Sequence, residues 1–290
     1  MPWIYIGTSP LKEAYVGTTP VKEIYVGTTK VRPTTVPWLC FTAEGAGTVI
    51  KLAKTGSPTS VTLETSTDMW STWSTYTFWN SITLSNVWDK VLFRNTSSTT
   101  TNFSTTGSDY YKFTITWGKA WCSWDVTYLI NKDGGVDTIP YTYLFNYLFN
   151  GASNLTTPPD LPSTTLKNYC YRNMFNGCTS LTTVPELPAT TLGSYCYQSM
   201  FSWCTSLTTL PKLPATAMKS WCYRYMFQGC SLIKLSSTQT WDYQTPYRIP
   251  TTWTGTTATN WNSNMFVSTW WTFLWAPAIS TTYYTSNTLV

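Results

Sequence analysis

Apolar and polar positions along the chain fall into four zones. In residues 1–36, short β-branched and aromatic runs recur every ten residues: Tyr5-Ile6-Gly7-Thr8-Ser9-Pro10, Tyr15-Val16-Gly17-Thr18-Thr19-Pro20 and Tyr25-Val26-Gly27-Thr28-Thr29. Each unit reads as strand, turn, strand. Each is too short to bury its own face, so the segment is expected to be an attachment and oligomerisation stem, stabilised by stacking or by several chains. A hairpin capping the next domain is the plainer alternative. In residues 37–138, strand-like stretches at 49–52, 61–64, 81–84, 90–94 and 111–115 are separated by Gly, Ser and Asn. That spacing predicts an antiparallel, β-sandwich-like domain.

Residues 139–235 carry the strongest pattern. Cys170/Cys178, Cys196/Cys204 and Cys222/Cys230 are each eight apart, and equivalent members recur every 26 residues. Leu161-Pro162, Leu187-Pro188 and Leu213-Pro214 keep the same period. Tyr147-Leu148-Phe149-Asn150-Gly151 is a degenerate earlier copy. A period of 26 lies within the leucine-rich repeat range. Tyr169, Cys170, Met174, Phe175 and Cys178 fit one apolar stripe of a helix, which Gly177 would end. Residues 181–184 then read as a short strand bounded by Pro185 and Pro188. The expected repeat core is Cys170, Cys178, Cys196, Cys204, Cys222, Cys230, Met174, Phe175, Met200, Phe201, Met226 and Phe227. Cysteine at a fixed period reads as a buried stacking position, not a disulfide framework. Whether Cys40 and Cys122 pair is open. In residues 236–290, Asn264-Met265-Phe266 echoes the repeat, and the segment reads as a C-terminal cap. The fold class expected is therefore α+β: an N-terminal β-repeat stem, a β-sandwich-like domain, then a leucine-rich repeat solenoid of 26-residue repeats with a C-terminal cap.

Composition narrows the chemistry. The chain of 290 residues has no histidine, which removes Ser-His-Asp and Cys-His catalysis and histidine metal sites. Charged residues are 11%, against about 25% in ordinary soluble domains, and aromatics are 17%. Adhesive proteins and virion fibres share this balance. The net charge of +5 is not gathered into a Lys/Arg run, so no nucleic-acid groove is expected. No apolar run is long enough to span a bilayer, so no membrane partner is expected either. No basic-then-apolar export segment is visible at the start. No phosphate-binding or hydrolase motif occurs, and Asp133-Gly134-Gly135-Val136-Asp137 lacks the remaining ligands of a calcium loop. No catalytic residue, metal or cofactor is expected.

Two resemblances rest on these motifs. Tyr195-Cys196-Tyr197-Gln198-Ser199-Met200-Phe201 with Cys204-Thr205-Ser206-Leu207-Thr208-Thr209 resembles the BspA-like leucine-rich repeat family of bacterial surface proteins. Ile82-Thr83-Leu84-Ser85-Asn86-Val87 with Asp89-Lys90-Val91 is similar to the β domain that often precedes such repeats. Ile24-Tyr25-Val26-Gly27-Thr28-Thr29-Lys30-Val31-Arg32-Pro33 resembles N-terminal tags of phage tail and fibre proteins. Together they imply a non-enzymatic protein at a virion surface. Residues 1–36 would join other virion proteins and form a homo-oligomer, a trimer among the options, while the repeats meet a host-surface protein or glycan. The alternative is a bacterial cell-surface adhesin. Candidate ligand contacts are Tyr171, Tyr197 and Tyr223, the stripe Arg172, Gln198 and Arg224, and the threonines Thr182, Thr183, Thr208 and Thr209. Core packing and a wet helix face are the competing readings of the tyrosines and of the stripe.

Trp203 stands where sister repeats have Gly177 and Gly229. The resemblance suggests glycine also at Trp88, Trp124, Trp270 and Trp271. These are either in-frame UGA codons whose true product is glycine, or genuine tryptophans exposed on turns as adhesive rings.

Overall fold

A computed structural model describes the paired strands within residues 1–37, residues 38–233 apart from Met69, Trp70, Thr105 and Thr216, and Asn264 and Met265. The chain forms two compact units, Met1–Pro37 and Trp38–Val290. In the first, the ten-residue repeat folds as three antiparallel pairs: β1 (Tyr5–Ile6) with β2 (Ser9–Pro10), β3 (Tyr15–Val16) with β4 (Thr19–Pro20), and β5 (Ile24–Val26) with β6 (Thr29–Val31).

The second unit begins with two sheets. Strands β7 (Leu39–Ala43), β8 (Thr48–Thr55), β9 (Leu63–Ser66), β10 (Ser74–Thr75), β11 (Ser81–Leu84), β12 (Lys90–Asn95), β13 (Tyr110–Thr116), β14 (Ala120–Ser123) and β15 (Leu155–Thr157) form them. One sheet has the order β10-β9-β12-β7-β14-β15, the other β11-β8-β13. Alternation sets the faces: Tyr111, Phe113 and Ile115 of β13 point inward while Lys112 and Thr114 are half-buried. Phe41, Phe93 and Phe113 meet between the sheets at 4.8–5.9 Å.

The helices and the recurring strand of the leucine-rich repeat expectation are absent. Among the described residues the one helical segment is a single 3-10 turn, Val126–Leu129. The fold is therefore nearly all sheet and turn, and neither α+β nor a leucine-rich repeat solenoid describes it. The reason lies in the backbone hydrogen bonds. The N–H groups of Tyr169, Tyr171, Asn173, Phe175 and Gly177 donate to the carbonyls of Ser194, Cys196, Gln198, Met200 and Ser202, each 25 residues on. The intervening N–H groups of Arg172, Met174, Asn176 and Cys178 close tight turns onto Tyr169, Tyr171, Asn173 and Phe175. A helix would keep every one of these bonds within the segment. Here half of them go to the next coil.

The same ladder joins Tyr143, Phe145, Tyr147, Phe149 and Gly151 to the coil that follows, and Tyr195, Tyr197, Ser199, Phe201 and Trp203 to the one after. Every fourth residue adopts positive φ to keep the turns in step: Tyr169 (60°), Asn173 (55°) and Gly177 (75°) in one coil. The expected strand at 181–184 does not form. There the Ser180 and Thr182 N–H groups donate to Ser153 and Thr156, and the single bridges between coils, Thr138 to Thr165, Thr165 to Thr191 and Thr191 to Ala217, fall elsewhere in the period. Pro185 and Pro188 carry no N–H, so they cannot extend a ladder there.

Rings of successive coils stack. Phe113 of β13 lies 5.4 Å from Phe149, which begins a column through Phe175, Phe201 and Phe227 at 5.3–5.6 Å. A second column runs Phe103, Phe145, Tyr171, Tyr197, Tyr223 at 5.7–6.2 Å. The backbone follows suit. The Phe113 N–H donates to Leu148 O and the Ala120 N–H to Asn154 O, and β14 pairs in parallel with β15. Sheets and coils thus share one core. At the other end Phe227 donates to Met265 O at 2.9 Å, and Met265 is buried. Met265 takes the step that Met200 and Met226 take in earlier coils. The rest of residues 236–290 lies outside the described residues.

Phe175 is fully enclosed between its two column neighbours. Phe175→Ala should cost about 3–5 kcal/mol, whereas Thr183→Ala on the surface should stay within about 0.5 kcal/mol. Denaturant unfolding midpoints of the two variants check this; similar midpoints would mean the column is not stacked.

Candidate ligand-presenting surface

All twelve expected core residues, from Cys170 to Phe227, are fully buried. The candidate ligand contacts divide differently. Tyr171, Tyr197 and Tyr223 are almost fully enclosed and form the second inner column, so they belong to the core and meet no ligand. Gln198 is 9% exposed, while Arg172 and Arg224 are half-buried. Thr182, Thr183, Thr208 and Thr209 are exposed. The hydroxyls of Thr182 and Thr208 each donate, at 3.4 Å, to the carbonyl 26 residues earlier, so these two serve the stack as well as the surface.

The sequence reading missed the outer ring column. Tyr143, Tyr169, Tyr195 and Trp221 stack at 4.5, 4.6 and 6.2 Å and stay half-buried. Their faces cover one another, so edges and hydroxyls are what the column offers outward. Arg172 lies 5.8 Å from the Tyr169 ring, and Arg224 lies 4.1 Å from Trp221 and 4.6 Å from Tyr225. Arg224 also donates to the Tyr225 hydroxyl at 3.2 Å, and Asn264 Nδ2 donates to the same oxygen at 3.1 Å. These two donors hold the Tyr225 hydroxyl below its usual range, the Asn264 bond first. Tyr169 shifts upward, through burial and then its tyrosine neighbours. The arrangement is a narrow aromatic ridge with one ring from each coil, edged by guanidinium groups at two of the four coils.

A signal for this column was present. The buried positions are 170, 171, 174, 175 and 178, a period of four with adjacent pairs. The stripe as read counted Tyr169 among its members and omitted Tyr171; the buried set includes Tyr171 and leaves Tyr169 half-buried.

Another cation–ring group lies on the six-stranded sheet. Arg94 sits 3.8 Å from the Trp73 ring and 5.1 Å from Trp38, and pairs with Glu64 at 2.7 Å. Its charge is already matched, so this group reads as a structural clamp. At residues 133–137 the Gly134 N–H closes a turn onto Asn131, the Gly135 N–H donates to Asp125 Oδ2 at 2.7 Å, and Asp133 pairs with Lys132. Among the described residues no group of three or more acidic or thiol side chains is placed to hold a metal ion, and no helix is long and apolar enough to cross a membrane.

The eight cysteines are buried thiols. Cys178, Cys204 and Cys230 donate to the carbonyls of Phe149, Phe175 and Phe201 at 2.9–3.1 Å, tying each coil to its predecessor. Cys40 and Cys122 lie on the neighbouring strands β7 and β14. No protein family, curated protein or solved structure matches the chain.

Burial raises the thiols of Cys122 and the six repeat cysteines above their ordinary value of 9.0, to about 12 for Cys222 and Cys230. The neutral form is therefore favoured by folding. That stabilisation is complete below about pH 9, where the unfolded chain also holds its thiol protons. It is lost as the pH rises toward about 12. The thermal midpoint should accordingly fall steeply above about pH 9 and be insensitive to thiol ionisation below it. A flat midpoint through pH 9–11 would show that these thiols are not enclosed.

Proposed function

We propose that the protein is a non-enzymatic structural and adhesion protein of a phage virion, which displays its stacked coils to a host-surface protein or glycan. On this reading residues 1–36 join it to other virion proteins as a homo-oligomer. The observation that carries the proposal is the outer ridge of Tyr143, Tyr169, Tyr195 and Trp221 edged by Arg172 and Arg224. Half-buried rings with polar tips and guanidinium groups are what recognition surfaces favour. Their repetition by translation suits a ligand that is itself repeated, where weak contacts add through multivalency. The low charge and abundant hydroxyls and rings of the whole chain support a displayed, extracellular role. The ten-residue repeat at 1–36, with its likeness to fibre tags, supports attachment to a particle.

Two measurements test this. A chain lacking residues 1–36 should no longer co-purify with particles, while its unfolding midpoint matches that of the full chain; retention on the particle would end the anchoring role. The double variant Tyr169→Ala with Arg172→Ala should bind whole host cells about tenfold or more weakly. Unchanged retention on cells would remove the ridge from the binding surface.

A further inference from the structure

We infer that Trp79, Trp88, Trp117, Trp124 and Trp203 stand at glycine positions, and that their codons are UGA read as glycine by the cell that translates this gene. Each of the five has φ between 61° and 76°, in the left-handed region where a bulky side chain crowds the backbone. Positive φ alone would not single them out, since tyrosines and asparagines of the coil ladder share it. What does so is the company each keeps.

Trp203 lies in a column otherwise filled by glycine. Gly151 (69°), Gly177 (75°) and Gly229 (73°) precede and follow it at the 26-residue period. Gly151, Gly177 and Trp203 share one bond, donating to Asn176, Ser202 and Gln228. Where glycine faces glycine, the Gly177 side meets only the Gly151 backbone at 3.6 Å. At Trp203 the indole instead lies against Gly229, whose α-carbon could take no side chain beside it: a Cβ there would fall 2.5 Å from the ring. The indole is nonetheless 50% exposed, so burial does not offset the backbone cost.

Trp79 and Trp88 occupy the third position of hydrogen-bonded four-residue turns, Asn80 N–H to Thr77 O and Asp89 N–H to Asn86 O. The second residues, Phe78 and Val87, do not have positive φ, so both are type II turns, which require glycine or asparagine at the third position. Both rings are 56% exposed. Trp117 is 88% exposed at φ 68°, next to Gly118, which closes against Thr48. Trp124, at φ 70°, directly precedes Asp125, the cap of the 3-10 turn.

Trp221 supplies the contrast. It also has positive φ, at 59°, but falls in the column of Tyr143, Tyr169 and Tyr195, stacks on Tyr195 and carries Arg224 over its ring. That position calls for an aromatic. Trp121 has no positive φ and is likewise assigned as tryptophan. Trp270 and Trp271 lie outside the described residues. UGA differs by one base from both UGG and GGA, so a single glycine tRNA reading UGA accounts for all five positions. The host of this gene is thereby specified: a cell whose UGA codons insert glycine.

The gene and the native protein decide the matter. We expect UGA at the five codons and UGG at Trp121 and Trp221, with tryptic peptides of the native protein carrying glycine at the five. Independently, a recombinant chain with Trp→Gly at all five positions should melt higher than the chain as written, by about 2–4 °C per site, whereas Trp221→Gly should melt lower. UGG at Trp88 or Trp203, tryptophan in those peptides, or a five-glycine chain that melts no higher would each overturn the inference.

Discussion

The structure of residues 139–233 depends on where alternate backbone N–H groups go. In each of the first three coils, five of them cross to the carbonyls of the next coil, and the ones between close tight turns within the coil. A coil alone would leave those five donors to water and its rings uncovered. Its conformation is therefore stable only as part of a stack. That constraint explains three further features: rings in register along columns, a thiol from each coil reaching the phenylalanine carbonyl of the one before, and positive φ every fourth residue.

A stack of this kind needs both ends closed. The first coil is met by the sheets: Phe113 continues the phenylalanine column, and Leu148 and Asn154 accept bonds from Phe113 and Ala120. The sheets thus act as a template that sets the first coil's height and ring phase. At the far end Phe227 finds Met265 rather than solvent. Nothing in this arrangement gathers acids, bases or thiols into an accessible cluster. The thiols are sealed in by the same packing that orders the columns. What the stack offers outward is a repeated edge of aromatic rings with arginine at two of the four coils, and that supports the proposed role in display.

Much of this was legible in the chain. The strands around residues 49–52 and 111–115 show two-residue alternation, because one face of each is covered, and 90–94 carries an apolar run buried on both faces. The 26-residue period and its buried cysteines, methionines and phenylalanines were also readable, since equivalent positions in a stack meet equivalent surroundings. The secondary structure of the repeat was misread. Buried positions at 170, 171, 174, 175 and 178 satisfy a helical stripe as well as a four-residue turn period, so the apolar pattern alone does not separate the two. Local pattern does not tell whether an N–H bonds four residues back or 25 ahead; the neighbouring coil decides, and it is distant in sequence. Tyr169 was counted in the core, and Tyr171 was read as a ligand contact with core packing as the competing reading; the column decides for the core. Trp203 was legible as an anomaly from its glycine column alone; Trp79 and Trp117 required backbone angles.

Excision of one period tests the stacking account most directly. Removing residues 169–194, which is 26 residues, joins Asn168 to Tyr195 in phase and leaves every remaining coil with a partner. Removing residues 181–193, which is 13, joins coils half a period out of step. The account predicts that the first protein unfolds in one cooperative transition, with its amide protons still protected from exchange in the surviving coils. The second should lose that protection from the junction onward. Equal protection in both proteins, or its loss from both, would contradict it.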